Sequence, residues 1–268
     1  VDWIDFLGLR PTERPDRWVL PVTDRVTGGA GQLFGGCGLG GAVALLEERT
    51  GKPAAWATAQ FLSNAFPPEE LVLDTTVVVE GHNFSQARAT GRVGDREVVS
   101  VMAALGTKRF DGRGRWRTMP VVPPPEQCPV STVTGPNPGG LSTRLERRVA
   151  IGDWGDEDHA PGGVMRVWMR LPDRLVGTTV GLCIAADFLP MGLRAGLGKP
   201  LFGASLDNTI RLMGRADDEW VLADMQMDDL GDGVGHGSVT LWSAGGDLLA
   251  VASQSCAMRE MPDQVSSK

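Results

Sequence analysis

Cysteine and histidine are scarce, with four of the first and three of the second in 268 residues. Cys37, Cys128, Cys183 and Cys256 are scattered and form no C-x-x-C pair, so neither a disulfide framework nor a zinc site is expected. Cys183 and Cys256 sit in apolar segments and read as reduced core thiols. His82, His159 and His236 are equally dispersed, without metal-ligand spacing. Positive charge is in deficit: 26 Lys and Arg stand against 33 Asp and Glu, a net charge of -7. That balance argues against a nucleic-acid surface and for a soluble, cytoplasmic protein. The opening VDWIDFLGLR has no basic region followed by an apolar stretch, so no signal peptide is expected. The apolar run Val180–Leu193 is too short, and interrupted by Asp187, to span a bilayer, so no membrane insertion is expected. Tyrosine is absent beside eight Trp and eight Phe; nothing functional follows from that. The rest, 42% hydrophobic and 22% charged, is the composition of an ordinary globular protein with one large domain or two moderate ones.

Along the chain, an entry segment (1–17) leads to a short strand at 18–22. A helix is expected from about Gly40 to Arg49, with Gly51 as its stop. Its glycine-rich approach, LFGGCGLGG from Leu33, implies that another backbone or a ligand passes close by. Strands are expected at 54–65, 71–83, 84–93 and 96–109, with a tight turn over Val93–Arg96. Residues 111–141 hold seven of the 18 prolines and read as a linker laid over a surface. Strands return at 142–153 and 162–173, followed by an apolar helix at about 178–193. Four more strands, at 204–212, 219–230, 237–243 and 247–259, precede a polar tail from Glu260. Each half therefore runs strand, buried helix, four strands. The fold class is α+β, an antiparallel sheet wrapped around a central helix, with units at 1–110 and 142–268. A shift of 147 sets Asp187 on Gly40 and Ala204-Ser205 on Ala57-Thr58, while a shift of 152 sets Gln254 on Met102.

Asp187 is the one charge in an apolar helix that must be buried on all sides. A carboxylate there is costly unless hydrogen-bonded. It is either a structural acid held by backbone or Ser/Thr donors, or a functional one. Ser205 on the next strand and Gln254 on the last could share that interior, although spacing alone does not bring the three together. Two familiar motifs fail. Gly36-x-Gly38-x-x-Gly41 has the form of a dinucleotide fingerprint, but the strand after it carries no acid and no βαβ unit follows. Gly203-Ala-Ser205-Leu-Asp207 lacks the last glycine of a nucleophile elbow and leads into a strand, with no evident histidine to serve it.

At these residues the sequence resembles the acyl-CoA thioesterase II family, whose members carry two hotdog domains in one chain. The resemblance rests on Leu33-Phe-Gly-Gly36, Ala186-Asp187-Phe188-Leu189, Ala204-Ser205-Leu206-Asp207, and Val251-Ala-Ser-Gln254 with Ala257-Met258-Arg259. These occur in the family's order over nearly the whole chain. The resemblance implies two tandem hotdog domains and the hydrolysis of fatty acyl-CoA to fatty acid and CoA. It makes Asp187, Ser205 and Gln254 the catalytic set, which would polarise a water for attack on the thioester; Ser205 stands where relatives often have Thr. No cofactor or metal is implied. Oxyanion donors are expected from the backbone of Gly35 and Gly36. Phe188, Met191 and Leu193 are candidates for the acyl-chain lining, or plain core. Arg109, Arg113, Arg115 and Arg117 are candidates for the CoA phosphates, or a solvated basic stretch. The sequence departs from the family at Cys37, often Gln, and at Asn208, often His. Two rival functions are a hotdog enoyl-CoA hydratase or dehydratase, which usually relies on an Asp/His pair, and a non-catalytic acyl-CoA-binding protein. The dearth of His near Asp187 counts against the first, and the three retained polar positions against the second. A homo-oligomer is compatible with the resemblance.

Overall fold

The computed structural model describes residues 2–112, 114–131, 137, 139–152, 161–198 and 201–260. The first half comprises α1 (Trp3–Leu7), β1 (Arg10–Pro11), β2 (Arg17–Pro21), α2 (Gly35–Thr50), β3 (Ala54–Phe61), β4 (Glu70–Glu80), β5 (Phe84–Val93) and β6 (Arg96–Gly106). The second comprises β7 (Glu146–Ile151), β8 (Val164–Arg170), α3 (Thr179–Ala186), α4 (Leu189–Leu197), β9 (Leu201–Ser205), β10 (Asp207–Leu212), β11 (Val221–Gly231), β12 (Val234–Ser243) and β13 (Leu248–Glu260). The polar tail expected beyond Glu260 lies outside the described residues.

All the strands form one sheet, in the order β1-β2-β4-β5-β6-β3-β10-β13-β12-β11-β8-β7, with β9 paired to β13. The halves join where β3 meets β10 antiparallel. Each half curls around its own helix, and the helices α2 and α3 pack on each other inside. The fold is α+β, and every residue of α2 from Gly36 to Leu46 is buried.

At the junction Thr58 faces Thr209 and their hydroxyls lie 2.7 Å apart. Thr58 pairs with Met102 on β6, and Thr209 with Ser253 on β13. Met102 therefore matches Ser253, and Gln254 matches Ala103, one residue from the equivalence expected from the hairpins. The faces agree: Met102 is 55% exposed, whereas Ala103 and Gln254 are buried. A shift of one residue exchanges the faces of a strand, which is why the hairpin alignment misassigned this position.

Helix α2 begins at Gly35, five residues before the expected start at Gly40, and two of its glycines, Gly36 and Gly40, face the second helix rather than forming a loop. A Cβ at Gly36 would sit 2.7 Å from Cys183 O and Ile184 Cα, and one at Gly40 would sit 3.1 Å from Val180 Cα. Backbone packs on backbone here. The second helix, expected as one element, is two: α3 ends at Ala186 and α4 starts at Leu189. Pro190 explains the break, since it has no N–H to give to Ala186 O, its partner four residues back.

The strand expected over 204–212 is also divided. Ser205 pairs with Cys256 and Thr209 with Ser253, so three residues (206–208) oppose two (254–255). This is a β-bulge. The Asp207 carboxylate accepts the Ser255 N–H at 2.8 Å. Ser205 and Asn208, three apart, would point to opposite faces of a regular strand; the extra residue turns both inward.

The proline-rich connection crosses the outer face of the second half. Met119, Val122 and Cys128 pack there against Trp168, Trp220 and Trp242, and Trp168 donates to Pro123 O at 2.9 Å.

The helix contact generates a paired expectation. Gly36→Ala should destabilise the protein by about 1–3 kcal/mol, because the new methyl meets main-chain atoms. Gly38→Ala, whose Cβ meets only Leu33 Cδ2 at 3.7 Å, should be neutral or stabilise by up to about 1 kcal/mol through helix propensity. Urea denaturation of both variants checks the contrast, and equal losses would contradict it.

Candidate active site

Asp187 follows the last residue of α3, and its side chain is 3% exposed. Four elements supply hydrogen-bond donors to its carboxylate. From α2, the Gly36 N–H donates to Oδ2 at 2.7 Å. From β9, Ser205 Oγ donates to Oδ1 at 3.3 Å. From β10, Asn208 Nδ2 donates to Oδ1 at 3.4 Å. From β13, Gln254 Nε2 donates to Oδ1 and also to Ser205 Oγ, the latter at 2.7 Å. The structure thus brings together Asp187, Ser205, Gln254, Gly35 and Gly36.

Gly35 makes this approach possible. A Cβ there would lie 2.8 Å from Asp187 Oδ2 and 2.8 Å from the Phe61 ring. Gly36 was expected to donate to an oxyanion, but its N–H is engaged by Asp187. Gly35 is the first residue of α2, and the N–H of a first-turn residue has no partner within the helix. The helix N-terminus also presents partial positive charge to the carboxylate.

No cation is among these partners. Burial pushes the Asp187 carboxyl up from 3.8 to about 6, against the downward pull of the bonds from Gly36, Asn208, Gln254 and Ser205. A base poised at that value is ionised at neutral pH and still able to take a proton. The buried thiols of Cys37, Cys183 and Cys256 are raised by desolvation, Cys183 to about 12. They remain neutral walls of the site.

Phe188 packs against Phe34 with ring centroids 5.0 Å apart, and the Arg147 guanidinium lies 5.7 Å from the Phe188 centroid. Met191 accepts a contact from Arg147 Nη1 at 3.5 Å. Leu193 packs at the position of Gly235 on β12. Phe34, Phe61 and Phe188 therefore gather beside Asp187; only Phe188 was singled out from the sequence. Arg109 is elsewhere. It is 95% exposed, 3.8 Å from Asp111, at the end of β6 that bonds Pro53 rather than the start of α2. Arg113 lies outside the described residues. Arg115 pairs with Asp247 and Arg117 donates to Thr240, tying the connection to the second half.

Asn208 is the functional candidate that sequence reasoning passed over, noted only as a departure from the family. Its signal was three-residue spacing from Ser205, legible only once the bulge is known. Of the described histidines, His82 is exposed between β4 and β5, and His236 bonds Ser255 on the outer face at 3.1 Å. Among the described residues no three His, Cys, Asp or Glu side chains converge as metal ligands. The stretch Thr179–Leu197 is apolar enough to cross a membrane by length and composition, but most of it is enclosed by the sheet.

Comparison with known proteins bears on the family and the fold. Residues 125–258 match the family model for the acyl-CoA thioesterase C-terminal domain. A protein from Novosphingobium aromaticivorans, provisionally assigned as a thioesterase, is 31% identical; the match covers 92% of this chain and 96% of that one, with a TM-score of 0.83. A conserved hot dog fold protein of unknown function from Alicyclobacillus acidocaldarius gives a TM-score of 0.85 at 18% identity, covering 97% and 98% of the two chains. An acyl-CoA thioesterase II from Mycobacterium marinum gives 0.74 at 20% identity, covering 97% and 99%. The last two likenesses establish the fold, a double hotdog. No curated protein matches the sequence.

The raised carboxyl has a consequence for stability. The folded chain retains the Asp187 proton up to about pH 6, whereas the unfolded chain releases it near 3.8. The group therefore favours folding fully below 3.8, and that contribution is lost as pH rises through 6. Asp187→Asn removes the linkage. Its stability relative to the parent chain should rise by on the order of 1–3 kcal/mol from about pH 4 to about pH 7.5, read from urea midpoints. A constant difference would mean that Asp187 titrates alike in both states.

Proposed function

The chain belongs to the acyl-CoA thioesterase II family, and we propose that it hydrolyses fatty acyl-CoA with Asp187 as the base that activates water. The observation that carries this reading is a buried carboxylate with four neutral donors and no cation. The assignment takes residues 1–110 and 142–268 as the two hotdog units, joined by 111–141, with the polar site in the second. A cytoplasmic location and association into homo-oligomers accord with the family reading.

Asp187 takes a proton from water as its oxygen attacks the thioester carbonyl carbon. The carbonyl π pair moves onto oxygen, and the Gly35 N–H, which has no partner within α2, is the donor assigned to it. Ser205, Asn208 and Gln254 all donate to Asp187 Oδ1, whereas Oδ2 accepts only the Gly36 N–H and, facing Gly35, serves as the basic oxygen. Collapse of the tetrahedral adduct restores the carbonyl and expels CoA thiolate. The thiolate leaves without strong protonation, and the proton on Asp187 returns to it or to solvent. Phe34, Phe61 and Phe188 offer apolar surface to the acyl chain.

Thiol release from acyl-CoAs of short to long chains tests the assignment. Turnover with some chain length is expected, and Asp187→Asn should lower kcat by about 10²- to 10⁴-fold while the fold persists. Release that survives the substitution would remove Asp187 from the mechanism. Tight acyl-CoA binding without release at any chain length would favour a binding protein instead.

A further inference from the structure

We propose that Asn208 is a positioning residue of the thioesterase site, bridging the carbonyl freed by Pro190 and the carboxylate of Asp187. The inference rests on the assignment of Asp187 as base. Pro190 cannot donate to Ala186 O, so the last carbonyl of α3 loses its intrahelical partner at the residue preceding Asp187. Asn208 Nδ2 lies 3.4 Å from Ala186 O and 3.4 Å from Asp187 Oδ1. An amide nitrogen has two hydrogens, and this one directs one to each oxygen. The helix end and the carboxylate are thereby held to one side chain on β10.

Two further observations point the same way. The bulge at 206–208 is what turns Asn208 inward beside Ser205. Asn208 is fully buried and its Oδ1 accepts no hydrogen bond. Orphaning a buried polar atom is unfavourable, and an apolar side chain would fill the position without that cost. Ser205 and Gln254 restrain Oδ1 of Asp187 from the sheet alone; Asn208 is the one partner that also grips the helix. Its removal leaves Gly36 on Oδ2 and Ser205 and Gln254 on Oδ1 but unties the end of α3 from β10, so the carboxylate should shift with the helix end relative to Gly35. The other titratable groups facing Asp187 are the thiols of Cys37 on α2, Cys183 on α3 and Cys256 on β13, with Asp207 beyond Cys256. The Arg147 guanidinium on β7 stacks on the adjoining Phe188.

The test compares Asn208→Leu, the double variant with Pro190→Ala, and Asp187→Asn, each by thermal midpoint and by the pH profile of kcat for thiol release. Asn208→Leu should lower the midpoint, reduce kcat by about 10- to 100-fold and move the acid limb upward, because Asp187 loses a donor. Adding Pro190→Ala restores an N–H for Ala186 O, so the midpoint should recover while kcat and the acid limb do not. The same background supplies a folded protein if the single variant does not fold. Recovery of kcat and the acid limb together with the midpoint would reduce Asn208 to a structural cap and overturn the proposal. If Asp187→Asn alone retained full activity, the assignment of the base would fail instead.

Discussion

One carboxylate without a cation, buried at the end of an apolar helix, constrains much of this molecule. An ionised Asp187 is tolerable only where donors surround it, and no single element can provide them. They come from the start of α2, from both strands flanking the bulge, and from the last strand. The site therefore exists only when the two halves are joined. The glycines at the start of α2, the proline break between α3 and α4, and the bulge at 206–208 each bring donors within reach of the same two oxygens.

The halves share an architecture but differ electrostatically. Near the other end of α2, the Glu47 carboxylate accepts from Thr179 Oγ1 at 2.7 Å, the Ala54 N–H at 2.7 Å and Arg215 Nη2 at 2.7 Å. Glu47 has a guanidinium partner and serves as a tie between the halves. Asp187 has only neutral donors. Removing water while withholding a counter-charge is what raises an acid, and that is the situation of Asp187. At the position of Gln254 the first half has Ala103, which cannot donate from its side chain at all.

Much of this was legible in the chain. A lone Asp in an apolar run, a hydroxyl on the next strand and an amide on the last were visible as interior polar groups, and the family resemblance joined them into one set; the structure brings the three into hydrogen-bond contact. The glycine-rich approach to α2 implied a close backbone or a ligand, and at Gly36 the neighbour is the backbone of Cys183 and Ile184. What escaped was register. The bulge at 206–208 depends on which residues of β13 lie opposite, and no local pattern encodes that. Asn208 therefore went unassigned, and Gln254 was matched to exposed Met102 instead of buried Ala103. Pro190 could have flagged the helix break, but the apolar residues on both sides of it masked it. Of the basic stretch, Arg109 is exposed, while Arg115 and Arg117 bond to the second half.

The central claim is that burial, unrelieved by a cation, holds Asp187 as a base near neutrality. Its most direct measurement is the titration of the carboxyl carbon by NMR in protein labelled with 13C at the aspartate side chains, with Asp187→Asn used to assign the signal. The account expects the Asp187 resonance to titrate near pH 6. A midpoint at or below the ordinary aspartate value would contradict it, since the four donors would then outweigh the burial from which the proposed chemistry follows.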